Sequence, residues 1–170
     1  DLLWAYEGQD QFWGYVLGAR SGLFSKQETL DALASIAAAQ DVRRARDWRD
    51  VEDTTRDPII TARRPKGWVS YQRSEDYYNE GLLIWLEIDA TLRARTQGAK
   101  GMDDFAKAFF AGPNGKWDAR GFTFEDIVSA LNDISPFDWA SLLRARLNGK
   151  ANHAPLTGLT LSGYQLTYTS

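Results

Sequence analysis

A single carboxylate interrupts a run of large apolar side chains near the start of the sequence. The run is LLWAYEGQDQFWGYVLGARSGL, residues 2–23, and the carboxylate is Glu7, which Gly8 follows. A Glu in such a place can ligate a metal ion, because carboxylate oxygens are common zinc donors. It can also be a partly exposed helix residue, and residue types alone favour this second interpretation. By the same criterion Tyr78, in YNEG at residues 78–81, is one of many aromatic core residues.

The histidine and cysteine content excludes several kinds of catalytic site within this chain. His153 is the only His among 170 residues, and there is no Cys. Neither a two-histidine metal site nor an H-E-x-x-H helix can therefore be assembled from the chain alone. Disulfides, thiolate ligands and thiol nucleophiles are excluded as well, although this does not separate cytoplasm from periplasm. His153 lies in NHAPL, and we predict that it is a loop residue and neither a ligand nor a base.

Charge gives no support to nucleic-acid binding. The net charge is −3, so the chain has no general attraction to phosphate backbones or anionic membranes. The basic run RRARDWR, residues 43–49, is flanked by acids. Between residues 41 and 53, four Arg stand against five Asp and Glu, which gives 4 − 5 = −1. We predict a solvated loop here, and neither nucleic acid nor a membrane is expected as a partner.

The other acidic pairs have ordinary explanations. Asp103 and Asp104 stand where a helix is expected to begin, and negative charge stabilises a helix N-terminus. Glu87 and Asp89 are two residues apart on a predicted helix, so they do not share a face. They are not an obvious acid and base pair.

Hydrophobic periodicity predicts a mainly α-helical domain. Hydrophobic residues make up 44% of the chain and aromatic residues 13%, a composition typical of a single globular domain with an aromatic core. Capping boxes at Ser25 with Glu28 and at Thr123 with Asp126 mark two helix starts. The predicted helices cover residues 2–19, 25–39, 74–96, 102–110, 123–132 and 138–147, with Gly22 as the stop of the first and Ser74 or Asp76 as the cap of the third. LLIWLEIDATL marks the third as the central helix, whereas residues 41–68 show no sustained period and are expected to wrap the surface as an irregular segment.

The C-terminal residues change period. Apolar residues alternate on either side of Ser162 and Gly163, which predicts a small β-hairpin. We therefore divide the chain into a helical domain, residues 1–157, and a hairpin tail, residues 158–170.

Seven motifs follow one another along the chain in a recognisable order: LWAYEG, GARSGL, SEDYYNEGLLIWLEIDATLR, DDFAKAFF, FTFEDIVSALN, DWASLLRARL and HAPL. In this order and with few gaps, they resemble the C-terminal part of the catalytic region of the glycyl aminopeptidase family. These enzymes are zinc metallopeptidases of the gluzincin type and often carry a PDZ-like domain after the catalytic one. The resemblance implies a fold like the C-terminal helical half of a gluzincin catalytic unit, with the tail leading towards a PDZ-like domain.

The resemblance implies a role for Glu7. In the family, an H-E-x-x-H helix supplies two zinc ligands and the Glu of W-x-x-E-G supplies the third, and this motif matches Trp4, Glu7 and Gly8. A carboxylate with two imidazoles leaves one coordination position open. Trp4 is then expected to support the ligand from behind, and Asp10 either orients a ligand His or faces solvent. After the Glu, the family commonly has G-F-T or G-L-T. This sequence has Gly8, Gln9 and Asp10 at those positions.

The resemblance also implies a role for a tyrosine. The related aminopeptidase-N superfamily has a Tyr in Y-x-K-G whose hydroxyl stabilises the oxyanion, and YNEG at residues 78–81 is similar. Tyr78 is thus the implied oxyanion donor, with Tyr77 as the alternative. A phenol suits this role because it donates a hydrogen bond and stays neutral at pH 7. Glu80 departs from the motif because it stands in place of Lys.

The missing H-E-x-x-H motif limits what this chain is expected to do alone. The absent initiator Met suggests a piece of a longer protein, whose zinc-binding half would precede residue 1. We expect a parent enzyme that removes small N-terminal residues such as Gly or Ala from peptides. The chain alone is expected to hold no zinc tightly, to be inactive and to self-associate. The alternative is a non-catalytic helical domain that binds peptides or proteins, a degenerate peptidase scaffold.

Overall fold

The protein is a helical domain arranged around one buried central helix. A computed structural model describes residues 2–56, 67–112, 119–150 and 153–169. Within these ranges there is no β-strand, and the mainly α-helical class predicted from the sequence is confirmed. The helices are α1 (Leu3–Arg20), α2 (Lys26–Asp41), α3 (Val51–Thr54), α4 (Asn79–Arg95), α5 (Met102–Phe110), α6 (Phe124–Ile134), α7 (Trp139–Asn148) and α8 (Thr157–Leu161).

Helix α4 is the centre of the domain, as its apolar sequence predicted. Eleven of its 17 residues are buried, which is what a helix apolar around most of its circumference requires. Helices α1 and α8 make the most extensive contacts with it. None of the described helices has the length and apolar character needed to cross a membrane.

The helix starts follow from local chemistry. At α2, the Ser25 hydroxyl accepts from the Glu28 N–H at 3.2 Å while a Glu28 carboxylate oxygen accepts from the Ser25 N–H at 2.8 Å. Thr123 and Asp126 form the same capping box at α6. Both caps were predicted, because each satisfies backbone donors that the first helical turn leaves without partners.

The cap predicted for α4 is wrong. The helix begins at Asn79, with Tyr78 at the N-cap position and without a side-chain cap. Asp76, a predicted cap, accepts instead from the guanidinium groups of Arg73 and Arg43. Two charged donors compete with a backbone amide for this carboxylate, and charge-assisted hydrogen bonds are the stronger ones.

Part of the segment predicted to be irregular is ordered and buried. It contains a 3₁₀ turn, Arg44–Asp47, and helix α3. Residues 57–66 of the same segment lie outside the described residues. Arg46, in the 3₁₀ turn, is only 3% exposed, so at this point the segment enters the core and does not wrap the surface.

The C-terminal β-hairpin is also wrong, because Gly163 ends a helix. Residues 157–161 form α8, and the Tyr164 N–H donates to the Leu159 carbonyl at 3.0 Å across Gly163, whose φ is +85°. A glycine with positive φ serves a helix C-terminus as well as a hairpin turn. Gly158 further favours the helix: a Cβ there would lie 2.6 Å from the Glu87 nitrogen, so α8 packs against the backbone of α4.

Candidate functional site

Glu7 lies half-buried on α1, between exposed and buried neighbours. Tyr6 and Asp10 are exposed, whereas Gly8 and Gln9 are buried. Within the described residues, no side chain or backbone group forms a hydrogen bond or ion pair with the Glu7 carboxylate. Because none of these groups occupies its oxygens, the carboxylate is chemically available for a ligand.

Helices α1 and α4 touch backbone to backbone directly beside Glu7. A Cβ on Gly8 would lie 2.8 Å from the Gly81 Cα, and one on Gly81 would lie 2.9 Å from the Gly8 Cα. Both distances are shorter than any real Cβ contact, so only glycine permits this approach. The glycines of W-x-x-E-G and of YNEG therefore face each other.

Trp4 holds the same crossing together from one turn away. Its ring stacks on Trp85 with the centroids 5.6 Å apart, and both side chains are at most 1% exposed. The Trp85 indole N–H donates to the Trp4 carbonyl at 3.3 Å. Trp4 thus fixes α1 against α4.

The two tyrosines differ in their accessibility. Tyr77 is 1% exposed, while Tyr78 is half-buried. Their rings lie 4.8 Å apart, inclined at 33°. A group that stabilises a substrate oxyanion must reach the surface of a cleft, and Tyr78 meets this requirement better than Tyr77.

The glycine crossing brings both candidate residues to one region of the molecule. Glu7 precedes Gly8 by one residue, and Tyr78 precedes Gly81 by three, which is less than one helical turn. The sequence positions of Glu7 and Tyr78 differ by 78 − 7 = 71, and this crossing brings the two parts of the chain together. An open groove lined by Leu2, Leu3, Tyr6, Arg120, Gly121 and Phe122 lies beside the first turn of α1.

Asp10 and His153 are both accessible. Asp10 is exposed one turn after Glu7 and has no ion pair or hydrogen bond within the described ranges. His153 lies in a loop, as predicted, and its Nδ1 is 3.1 Å from Oδ1 of Asp41. The charged pairs predicted to be structural contact other parts of the chain: Asp89 accepts from the Met102 N–H at 2.8 Å, Asp103 pairs with Arg20, Asp104 caps α5, and Glu87 pairs with Arg146.

A buried cluster of charges lies next to Tyr78, and the sequence analysis did not identify it. Glu80 accepts from both terminal nitrogens of Arg46, at 2.9 and 2.7 Å, and also from Arg73. Asp76 accepts from Arg73 Nε at 2.8 Å and from Arg43. Glu80, the residue that departs from the Y-x-K-G pattern, is thus the shared partner of two Arg residues in this cluster.

This cluster corrects the interpretation of the basic run at residues 43–49. Arg43, Arg46 and Arg49 recur every third residue. Arg43 and Arg46 pair with the buried Asp76 and Glu80, and Arg49 pairs with Asp53, whose side chain is 44% exposed. Arg44, which breaks the spacing, is exposed. Two sequence patterns could have predicted this cluster: the spacing of three between the Arg residues and the spacing of four between Asp76 and Glu80. Both patterns place charges on one face of a turn or helix.

The donor set of this chain fits one ligand position of a zinc site. Glu7 offers a carboxylate that has no partner among the described residues, next to a dry helix crossing, and both features suit a metal ligand. Among the residues that the structure describes, no three His, Cys, Asp or Glu side chains come together in a group able to hold a metal. Any imidazole ligands must therefore come from outside these residues.

Comparison with known protein families gives a match to the N-terminal part of the chain. Residues 1–84 match the family model described as M61 glycyl aminopeptidase. Glu7, Gly8, Tyr78 and Gly81 all fall inside the matched range. A search of curated proteins found no significant match to the chain.

Proposed function

We propose that this chain is one half of the catalytic unit of a zinc aminopeptidase, because residues 1–84 match the M61 glycyl aminopeptidase family. The match supports a peptidase-related function and peptide substrates. The finer proposal is that Glu7 and Tyr78 are the two residues by which this chain takes part in the reaction. The observation that supports it is the close contact of Gly8 with Gly81, which lie one residue from Glu7 and three residues from Tyr78. Within the described residues, the Glu7 carboxylate forms no hydrogen bond or ion pair.

Glu7 is proposed as a zinc ligand that acts together with two imidazoles from an upstream half of the same protein. A zinc ion held there would supply a Lewis acid for peptide-bond hydrolysis. Glu7 itself contributes a negative charge held in place by the α1 backbone. Gly8 and Trp4 fix that backbone against α4, so the Cα of Glu7 has a fixed position from which the side chain reaches the metal.

Asp10 is proposed to lie close enough to the ligand set to accept a hydrogen bond from one of these imidazoles. It is one turn beyond Glu7 on the same side of α1, and it is exposed and unpaired within the described ranges. A carboxylate that orients a ligand imidazole is worth about 10- to 100-fold in metal affinity.

Tyr78 is proposed to donate its phenolic hydrogen bond to the oxygen that becomes negative when the peptide carbonyl is attacked. Such a donor contributes most where charge develops in the transition state. The substrate is proposed to be a peptide with a small N-terminal residue, Gly or Ala, as in the family. Removal of the upstream half would leave the chain inactive and without tightly held zinc.

Zinc content and kinetics of the full-length protein that carries this chain test the proposal. We expect about one zinc per chain in the wild type and loss of most of it in Glu7→Gln, which keeps shape and removes charge. Glu125→Gln is the matched control: it is the same substitution at an exposed helix position, and it should keep the metal. Tyr78→Phe should keep zinc and lower kcat by about 10²- to 10³-fold.

Two outcomes would overturn the assignment. If Glu7→Gln binds zinc as well as the wild type, Glu7 is a helix residue and the third ligand lies elsewhere. If the wild type binds no zinc and cleaves no Gly- or Ala-initiated peptide, the chain is a helical interaction domain on a peptidase scaffold.

A further inference from the structure

Two buried carboxylates flank the tyrosine pair. Asp76 and Glu80 are 2% and 1% exposed, and Tyr77 and Tyr78 lie between them in the sequence. An ionised carboxylate is stable in such a place only when it is paired and fully hydrogen-bonded. The partners of these two acids therefore determine where the intervening turn can lie.

The partners come from two other parts of the chain. Arg46, from the 3₁₀ turn after α2, meets Glu80 through both terminal nitrogens, and Arg73 contacts Glu80 and Asp76 together. Arg46 and Arg73 are only 3% and 1% exposed. A planar guanidinium held in bidentate contact fixes direction as well as distance.

The turn that these pairs hold has an unfavourable backbone. Glu75 has φ +53°, a left-handed conformation that L residues avoid. Such a residue persists when the surrounding structure leaves the chain no alternative. The Tyr78 N–H donates to the Glu75 carbonyl at 3.2 Å, and the Glu80 N–H to the Asp76 carbonyl at 2.8 Å, so the turn leads directly into α4.

We propose that Arg46, Arg73, Asp76 and Glu80 form a positioning cluster that sets the place of the Tyr78 hydroxyl at the substrate. The four residues touch neither substrate nor metal. They act through Tyr78, by locking the turn on both sides of it. This inference rests on the proposed role of Tyr78, and it predicts an effect on turnover that is separate from the effect on folding.

A second buried ion pair on the same helix provides the control. Glu87 lies seven residues after Glu80, two turns along α4, and is also 1% exposed. It accepts from Arg146 at 2.7 and 2.8 Å. Glu80→Gln and Glu87→Gln therefore remove the same charge from two buried carboxylates of one helix, one beside Tyr78 and one remote from it. Glu80 pairs with two buried guanidinium groups, and Glu87 with one whose side chain is 29% exposed.

The experiment compares these variants in the full-length protein by zinc content, thermal midpoint, kcat and KM. We expect both variants to lower the thermal midpoint and to keep zinc. Only Glu80→Gln should lower kcat, by about 10- to 100-fold, with KM little changed, because small displacements of a catalytic group act on turnover. Equal kcat in the two variants would overturn the positioning role.

A double variant separates this inference from the assignment of Tyr78. If the cluster acts through Tyr78, Glu80→Gln should lower kcat no further in a Tyr78→Phe background, whereas independent effects would multiply. Multiplicative effects would overturn the inference but not the proposed role of Tyr78. A Tyr78→Phe variant with the kcat of the wild type would overturn the assignment of Tyr78 as the oxyanion donor.

A milder variant covers the case in which Glu80→Gln does not fold. Arg43 contacts Asp76 from the partly exposed side of the cluster, with 24% of its side chain accessible. Arg43→Lys keeps the charge and loses the planar donor geometry. A smaller fall in kcat at unchanged zinc content is expected, and an unchanged kcat in a correctly folded variant counts against the cluster.

Discussion

Two glycines set the distance between the helices that carry the candidate residues. Gly8 and Gly81 face each other so closely that a Cβ on either one would overlap the backbone of the other. Backbone atoms cannot move aside as a flexible side chain can, and a methyl group added here must push the helices apart. The position of Glu7 relative to Tyr78 therefore depends on the absence of a Cβ at Gly8 and Gly81.

The glycine contact gives a prediction for stability. Gly8→Ala should destabilise the protein by about 1–3 kcal/mol, the usual cost of overpacking. Gly14→Ala is the control on the same helix: it is exposed, and a Cβ there would have nothing within 4 Å. It should be neutral or stabilising by about 0.5–1 kcal/mol, because Ala restricts the unfolded chain and favours the helix.

Urea unfolding of the two variants provides the measurement. If Gly8→Ala and Gly14→Ala change the free energy of unfolding by the same amount, the close contact between Gly8 and Gly81 is contradicted. In the full-length protein, Gly8→Ala should also lower kcat, since Glu7 moves with its helix.

Single residues also show what the sequence could and could not predict. Glu7 and Tyr78 were proposed from motifs that a family shares. Glu80 was noted only as a departure from a motif. Its role depends on Arg46, 34 residues away, and on Arg73, and no local pattern identifies the partner of a buried acid across such a distance. The spacing of Arg43, Arg46 and Arg49 showed that one face carries charge but not that this face is buried.

At the scale of elements, helices were predictable wherever local signals agree. The starts of α2 and α6 follow from capping boxes, and the central position of α4 from its apolar circumference. The C-terminal residues were misassigned because Gly163 suits two structures equally. The choice between them depends on the fit of Gly158 against the backbone of α4, which is a tertiary contact that the tail alone does not contain.

The segments before and after α8 both contact one carboxylate at the end of α2. Asp41, the last residue of α2, accepts from the Ala154 N–H at 3.0 Å, the Tyr168 hydroxyl at 3.0 Å and His153 at 3.1 Å. Burial alone would raise the pKa of the Asp41 carboxyl, but these hydrogen bonds outweigh it and hold the pKa below its usual value. The folded state therefore binds the Asp41 proton less readily than the unfolded state does.

The hydrogen bonds to Asp41 predict a specific response to acid. A lowered pKa in the folded state contributes stability above the ordinary Asp pKa, and that contribution is lost as the pH falls through the folded value. Tyr168→Phe removes one donor and should raise the pKa of Asp41 towards its ordinary value. Carboxyl NMR titration measures the shift. Tyr164→Phe, in the same tail, should leave Asp41 unchanged, and equal pKa values in both variants would contradict the Tyr168 contact.

At the scale of the molecule, one face of α1 presents two large apolar side chains to water. Tyr6 and Leu17 are 59% and 54% exposed, and Asp10 and Gly14 lie exposed between them at helical spacing. Glu7 borders this face. If Glu7 is a zinc ligand, the imidazole ligands must approach from the same side, so this face is where the proposed upstream half would pack. A chain that lacks that half presents apolar side chains to water.

The exposed face predicts that the chain alone self-associates at high concentration. Burying one Leu side chain stabilises an interface by about 1.5–3 kcal/mol, so Leu17→Lys should weaken the association by roughly 10- to 100-fold. Leu161→Lys is the control, because Leu161 is 48% exposed but lies on α8. Sedimentation velocity over a range of concentrations distinguishes them. Two results would contradict self-association through the α1 face. One is a wild-type chain that stays monomeric at every concentration, and the other is equal weakening of the association by both substitutions.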